Sequence, residues 1–213
     1  MPREFHIELE GLNHAFTQTT GLVAEVLMDL VRTPEERCAP RLSLATRIVD
    51  DIDGRCRELE DGGHVLLARQ APVGGDLRRL IAILRQLTNV ERAARHTRHV
   101  LDGHRNLDVS TLPADIAVLL EAMGERAAEV FRGGLDAWSS GDALAVNELD
   151  IKDRDVDALQ LRLLEAASHS DQIHGETRLS LGLIARHYER IADYGVSLAR
   201  DAAFVITGER VTP

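Results

Sequence analysis

The chain has 213 residues, of which 44% are hydrophobic, 28% charged and only 3% aromatic, and its formal net charge is −10. That composition belongs to a folded protein and excludes a disordered one. The acidic surplus argues against nucleic acid as a partner, because phosphate binding needs Lys and Arg in excess on one face. No uninterrupted apolar run approaches the ~20 residues that span a bilayer, and the opening MPREFHIELEGL lacks the basic and apolar segments of a secretory signal. A soluble cytoplasmic protein is expected, with Cys38 and Cys56 reduced because they form no CxxC pair.

Leu, Ala and Arg abound while aromatics are scarce, which favours helices packed through aliphatic ridges and an all-α fold. In the first helix Phe5, Leu9, Leu12, Phe16, Thr19, Val23, Val26 and Leu30 step by alternating fours and threes, the seam of a helix packed at a shallow angle. It is expected to end near Arg32, where Thr33-Pro34-Glu35-Glu36 supplies a cap, a first-turn proline and acids over the next helix start. The second helix carries Leu44, Ile48, Ile52, Leu59, Leu66 and Leu67 to about Arg69, and Gly62-Gly63 predicts a kink. Ala71-Pro72-Val73-Gly74-Gly75 breaks the chain, and Asp76 is placed to cap a third helix bearing Leu77, Leu80, Ile81, Leu84, Leu87 and Ala94. That helix ends near Asp102-Gly103-His104, and the stretch from Asn106 to Pro113 divides the chain.

The second half then repeats the first. Ile116, Leu120, Met123, Ala127, Val130 and Gly134 follow Leu12, Phe16, Thr19, Val23, Val26 and Leu30 at an offset of 104, which also carries Asp51-Ile52-Asp53 onto Asp155-Val156-Asp157. For the third helix of each half the offset is 98, taking Glu91-Arg92 onto Glu189-Arg190. A period this long signals a tandem duplication rather than a solenoid. Two three-helix bundles are expected, residues 1–106 and 107–213, six long helices in all.

The halves differ in their acids. Asp153 and Asp157 stand four apart on the fifth helix, as do Glu189 and Asp193 on the sixth. If those helices pack side by side, four carboxylates converge, and like charges so placed raise one another's pKa unless something offsets them. One candidate is a hard or borderline cation such as Mg, Mn, Fe or Ca. The other is Arg154 and Arg190, acting as salt bridges on a solvated face. The first half has Val49, Asp53, Glu91 and Arg95 at the matching positions. There a guanidinium replaces acid and can pair with Asp53 and Glu91 directly. The first bundle is therefore expected to bind no metal, and the second is the one place where a divalent or iron-type ion competes with the salt-bridge reading.

Arg78, Arg85, Arg92 and His99 recur every seven residues on the third helix, either as a docking strip for an acidic partner or as a solvated helix back. The histidines form no HExxH motif and no Glu-x-x-His pair, which argues against di-iron oxidase chemistry. A Walker loop and a G-x-S-x-G elbow are also missing, so no catalytic residues are assigned. Trp138 is expected in the core or at the bundle edge.

The turn Gln70-Ala71-Pro72-Val73-Gly74-Gly75-Asp76-Leu77-Arg78, the Glu91-Arg92 pair, Asp153 to Asp157 and Glu189-Arg190-Ile191-Ala192-Asp193-Tyr194 resemble the PhoU family of bacterial phosphate-uptake regulators across essentially the whole chain. The resemblance implies a cytoplasmic, non-enzymatic negative regulator of the phosphate-starvation response. Such a protein couples a phosphate ABC transporter, through its ATPase, to a sensor histidine kinase, and meets the membrane only through those partners. It also implies a homodimer and metal on the paired acids Asp153, Asp157, Glu189 and Asp193, with the first-half pattern departing at Val49 and Arg95. The competing readings are a metal-dependent helical-bundle hydrolase or oxidase built on the same acids, and a plain helical scaffold.

Overall fold

In a computed structural model of the chain, residues 3–32 and 39–210 are described, and none of them lies in a strand. Six long helices follow one another: α1 Arg3–Arg32, α2 Ala39–Gln70, α3 Gly74–Asn106, α4 Ala114–Ser140, α5 Ala145–His169 and α6 Gly175–Thr207. A short 3-10 turn, Val109–Thr111, lies in the α3–α4 connector, where the sequence divides. None of the described helices is long and apolar enough to cross a membrane.

The first-helix seam is buried as the spacing predicts, from Phe5 through Leu30. Other expectations need correction. Leu44, Leu67 and Ile81 are exposed, because the apolar stripes of α2 and α3 are wider than the faces they bury. α2 runs without interruption through Gly62-Gly63. Gly63 serves instead as a contact point, since a Cβ there would stand 2.6 Å from the Leu84 side chain on α3. Asp76 does not cap α3: the N-cap is Val73, with no side-chain cap, and Asp76 pairs with His6 Nε2 at 3.3 Å. The cap expected at Thr33-Pro34-Glu35-Glu36 lies outside the described residues, as does Cys38.

Each half forms a three-helix bundle, and the bundles share a centre. α1 packs on α3 and α4, and α6 packs on the same two helices, so α1, α3, α6 and α4 form a four-helix middle. α2 covers α1 and α3 on one flank, while α5 covers α4 and α6 on the other. A single apolar cluster runs from Phe5 to Ala203 through both halves. At the α4/α6 crossing the backbones nearly touch: a Cβ on Gly134 would lie 2.1 Å from the Gly195 carbonyl oxygen, so neither position admits a side chain. Trp138 ties α4 to α1, with its indole N–H donating to Asn13 Oδ1 at 3.0 Å and its ring edge-on to Phe16. α4 stops at Gly141, whose φ of 71° gives the left-handed cap that returns its N–H to Ala137.

Candidate functional site

The duplication leaves one groove on each flank, between α2 and α3 and between α5 and α6. The first is a cavity of about 390 Å³ lined by Val49, Asp50, Asp53, Arg57, Glu91, Ala94, Arg95 and Arg98. The four positions that the offset matches to the second-half acids therefore do converge. Arg95 pairs with Glu91 along α3, while Asp53 pairs with Arg57 along α2 and Asp50 with Arg98 across the groove. Arg95 was expected to serve both acids; Arg57, one helical turn from Asp53, takes one of them. Three carboxylates face three guanidiniums, and the groove neutralises itself. Beneath it, burial pushes the Cys56 thiol up to about 12, with Glu91, Asp53 and Glu60 adding to the shift, so this cysteine is an inert core residue.

The second groove is different. Burial raises the Asp153 carboxyl to about 6, helped by the charges of Asp193, Asp157 and Asp150 and opposed by Arg200. Glu189 is raised by burial and by Asp193 and Asp157, against Arg186 and Arg190. Asp153 and Asp157 on α5 thus lie within electrostatic reach of Glu189 and Asp193 on α6, as the paired spacings predict. Arg186 Nη1 meets Glu189 at 2.7 Å, Arg190 Nη1 meets Asp193 at 2.9 Å, and Arg200 Nη2 meets Asp150 at 2.8 Å. Arg154, the other expected neutraliser, is exposed and makes no ion pair among the described residues. Five carboxylates face three guanidiniums here, which leaves two negative charges without a partner.

That residue suits one hard divalent cation in charge and in donor type, because every donor is a carboxylate oxygen. The fit is incomplete in geometry. Among the described residues, no three side chains already surround a common point at which an ion would sit, and the α6 acids are held by arginines.

The proposed docking strip is divided by its surroundings. Arg78 packs its guanidinium against Gly208 at the end of α6, with Nε buried and unpartnered. Arg85 reaches Asp201 at 3.4 Å across the α3/α6 seam, and Arg92 is exposed. His99 stacks on His187 with ring centroids 4.8 Å apart.

Sequence reasoning missed the cluster this last contact belongs to. His96 Nδ1 lies 2.9 Å from His187 Nδ1, and Tyr194 packs beside His96. Burial, followed by the charges of His187, His99, Arg190 and Arg186, holds His96 down at about 4. The i,i+3 spacing of His96 and His99 was the only hint; His187 comes from the other half.

Beside this geometry stand the similarities to known proteins. Residues 120–202 match the family described as the PhoU domain. The Mycobacterium leprae protein named phosphate-specific transport system accessory protein PhoU homolog 1 is 28% identical over 98% of this chain and 95% of its own length. The Zymomonas mobilis protein named phosphate-specific transport system accessory protein PhoU homolog is 29% identical over 98% of this chain and 89% of its own length. The likeness to PhoU homologues therefore runs along almost the whole chain, and the match to the PhoU domain covers α4 to α6. The chain's fold is also that of two PhoU crystal structures, each 23% identical in sequence. The Pseudomonas aeruginosa structure gives a TM-score of 0.86 over 96% of this chain, and the Streptococcus pneumoniae structure 0.85 over 98%. Both are matched along their whole length. The acids of the second half that carried the resemblance lie inside the matched residues 120–202, on the flank with the charge deficit.

Proposed function

We propose that this protein is a non-enzymatic regulator of a phosphate transport system, acting in the cytoplasm and reaching the membrane only through its partners. The observation that carries the reading is end-to-end likeness to proteins named as accessory to phosphate-specific transport, which spans 98% of the chain. In its finer form the reading makes the protein a negative regulator, dimeric, that contacts the transporter ATPase and a sensor histidine kinase. It holds the kinase in its signalling-off state while phosphate is plentiful. No bond is made or broken. A rigid bundle needs only ~1–3 kcal/mol of differential contact to bias a partner's conformational equilibrium. Arg92 is the most available residue of the α3 strip for an acidic partner surface; Arg85 is shared with Asp201 and Arg78 with the end of α6.

Asp153, Asp157, Glu189 and Asp193 hold a divalent or iron-type ion in this reading, and the balanced α2/α3 groove holds none. The uncompensated pair of charges supports this assignment. When bound, the ion supplies charge neutralisation and cross-links α5 to α6.

Affinity capture from phosphate-replete cells tests the function. Recovery of the transporter ATPase or a histidine kinase, weakened by Arg92→Glu, is the expected result, and recovery of neither refutes it. Deletion should derepress phosphate-scavenging genes in rich phosphate; unchanged expression would make the protein a scaffold instead.

A further inference from the structure

We infer that the outer face of α1 is a docking trough for one amphipathic helix of a partner protein, which turns aliphatic side chains toward α2 and a basic residue toward Glu25. The trough shares no residue with the α5/α6 acids, the α2/α3 groove or the α3 strip, so its failure leaves the reading above intact.

Two cavities open side by side along α1. One, of about 570 Å³, is lined mainly by Leu22, Val26, Met28, Leu44, Ala45 and Ile48. The other, of about 560 Å³, is more polar and includes His14, Thr17, Gln18, Arg55 and Ser139. Leu22, Glu25 and Arg132 border both, so the two form one trough with α1 as its floor and α2 and α4 as its walls. From His14 to Asp29 that floor is about 22 Å long at 1.5 Å per residue, roughly four helical turns.

The duplication singles this trough out. At the offset of 104, Leu22, Met28, Leu44 and Ile48 match Arg126, Arg132, Glu148 and Lys152. The second half thus carries four charged side chains where the first carries four apolar ones. Lys152 and Glu148 pair at 2.6 Å, as suits a surface that faces only water. The packing differs as well. Leu149 presses onto Gly133, where a Cβ would stand 2.6 Å from its side chain, and this closes α5 onto α4. The first half has Ala45 and Asp29 at those positions, so the filling side chain is missing and the apolar walls stay open. Leu44 is left 53% exposed. An open apolar face of this kind, absent from the matching half, marks a surface that another molecule covers.

Shape and charge select the occupant. A concave face leaves a gap when it meets its own copy across a two-fold axis, which disfavours a second molecule of this chain. A helix laid between two flanking helices fills such a groove, with anchors at i, i+3 and i+4. Along the rim Arg41 meets Asp29 at 3.5 Å, Arg55 meets Asp51 at 2.7 Å and Arg132 meets Asp136 at 3.3 Å. Glu25, which borders both cavities, is the one lining carboxylate with no ion pair among the described residues. A lysine or arginine near the middle of the docked helix answers it.

A displayed library of helical peptides of about 16 residues, the length of the trough, selected against the full chain, tests this. Enriched peptides should share aliphatic residues at i, i+3 or i+4 and a lysine or arginine within about two turns of them. Leu44→Glu/Ile48→Lys installs the pair that the second half uses, so it should melt within a few degrees of wild type and bind those peptides about tenfold or more weakly. Glu25→Arg should weaken them about tenfold, and changing the basic residue of the peptide to glutamate should restore binding to that variant. Glu25 is exposed, so this second variant tests the trough without touching its packing. Leu144→Ser, at a leucine 80% exposed outside the trough, should leave affinity within about twofold. Failure to enrich any peptide, enrichment of peptides without the pattern, or binding indifferent to the trough variants overturns the assignment. Sedimentation of the full chain covers the other occupant: if wild type self-associates and Leu44→Glu/Ile48→Lys abolishes it, the trough holds a second copy and the partner helix is overturned.

Discussion

His96 shows how the seam treats a single ionisable group. In the unfolded chain its imidazole takes a proton near 6.5; in the fold it resists protonation down to about 4, because it is buried among His187, His99, Arg190 and Arg186. A base whose folded pKa is depressed contributes stability in full above the unfolded value, and loses it as pH falls through the folded one. Stability should therefore drop between about pH 6.5 and 4. His96→Gln should flatten that drop by about 1–2 kcal/mol after solvent screening, measured by urea unfolding across the range. A second residue-scale prediction concerns Arg95. Arg95→Asp gives the α2/α3 groove four carboxylates against two guanidiniums, the same deficit as its counterpart, and should create Mn²⁺ binding there. At this scale the acids were legible in the sequence, since an i,i+4 spacing and a fixed offset suffice to place them. Their partners were not. Arg57 and Arg186 are chosen by the reach of long side chains over a particular helix surface, and the histidine cluster needs both halves in contact before it exists.

Among the elements, α4 and α6 carry the tightest constraint. Gly195 lies against the Phe131 and Val130 backbone, with a would-be Cβ 2.6 Å from both Phe131 Cα and the Val130 carbonyl oxygen. Backbone cannot move aside as a side chain can. Gly195→Ala should cost at least about 3 kcal/mol and lower the melting temperature by about 6–12 °C. Gly54→Ala on α2 is the contrasting case: nothing stands within 4 Å, and the helix loses only a conformationally loose residue. It should stabilise by about 0.5–1 kcal/mol. Calorimetry on the two variants separates packing from propensity. The helices themselves were readable from period and punctuation, and their ends fell within a few residues of those expected. The functions of the glycines were not, because a glycine in a sequence signals freedom or closeness equally well. Gly62-Gly63 was read as freedom, and Gly63 turned out to be closeness.

Over the whole molecule the two halves are held by polar contacts as well as by shared core. Gln86 donates to Asp201 at 2.7 Å and to Ser197 Oγ at 3.2 Å, and Asn89 donates to the same serine at 3.1 Å. Asp201 is only 8% exposed. Asp201→Ala leaves the Gln86 amide short of its strongest acceptor and should cost about 2–3 kcal/mol, a fall of roughly 4–12 °C in melting temperature. Because α1 and α3 present apolar faces to α4 and α6, a fragment of residues 1–106 should lack the cooperative melt of the full chain, as circular dichroism would show. The repeat divides the chain into two sets of three helices, but it could not show that their cores merge. An apolar stripe has the same spacing whether it faces its own bundle or the neighbouring one.

The inequality of the two flanking grooves has a geometric consequence. A body made of two equivalent units offers an approaching surface two equivalent ways to land, related by half a turn. Here one end answers its own charge with Arg57, Arg95 and Arg98, while the other leaves Asp153 and Asp157 unanswered. Shape permits either landing, and electrostatics distinguishes head from tail. A molecule built of two like halves thereby acquires a direction, through a handful of substitutions and without any change of fold.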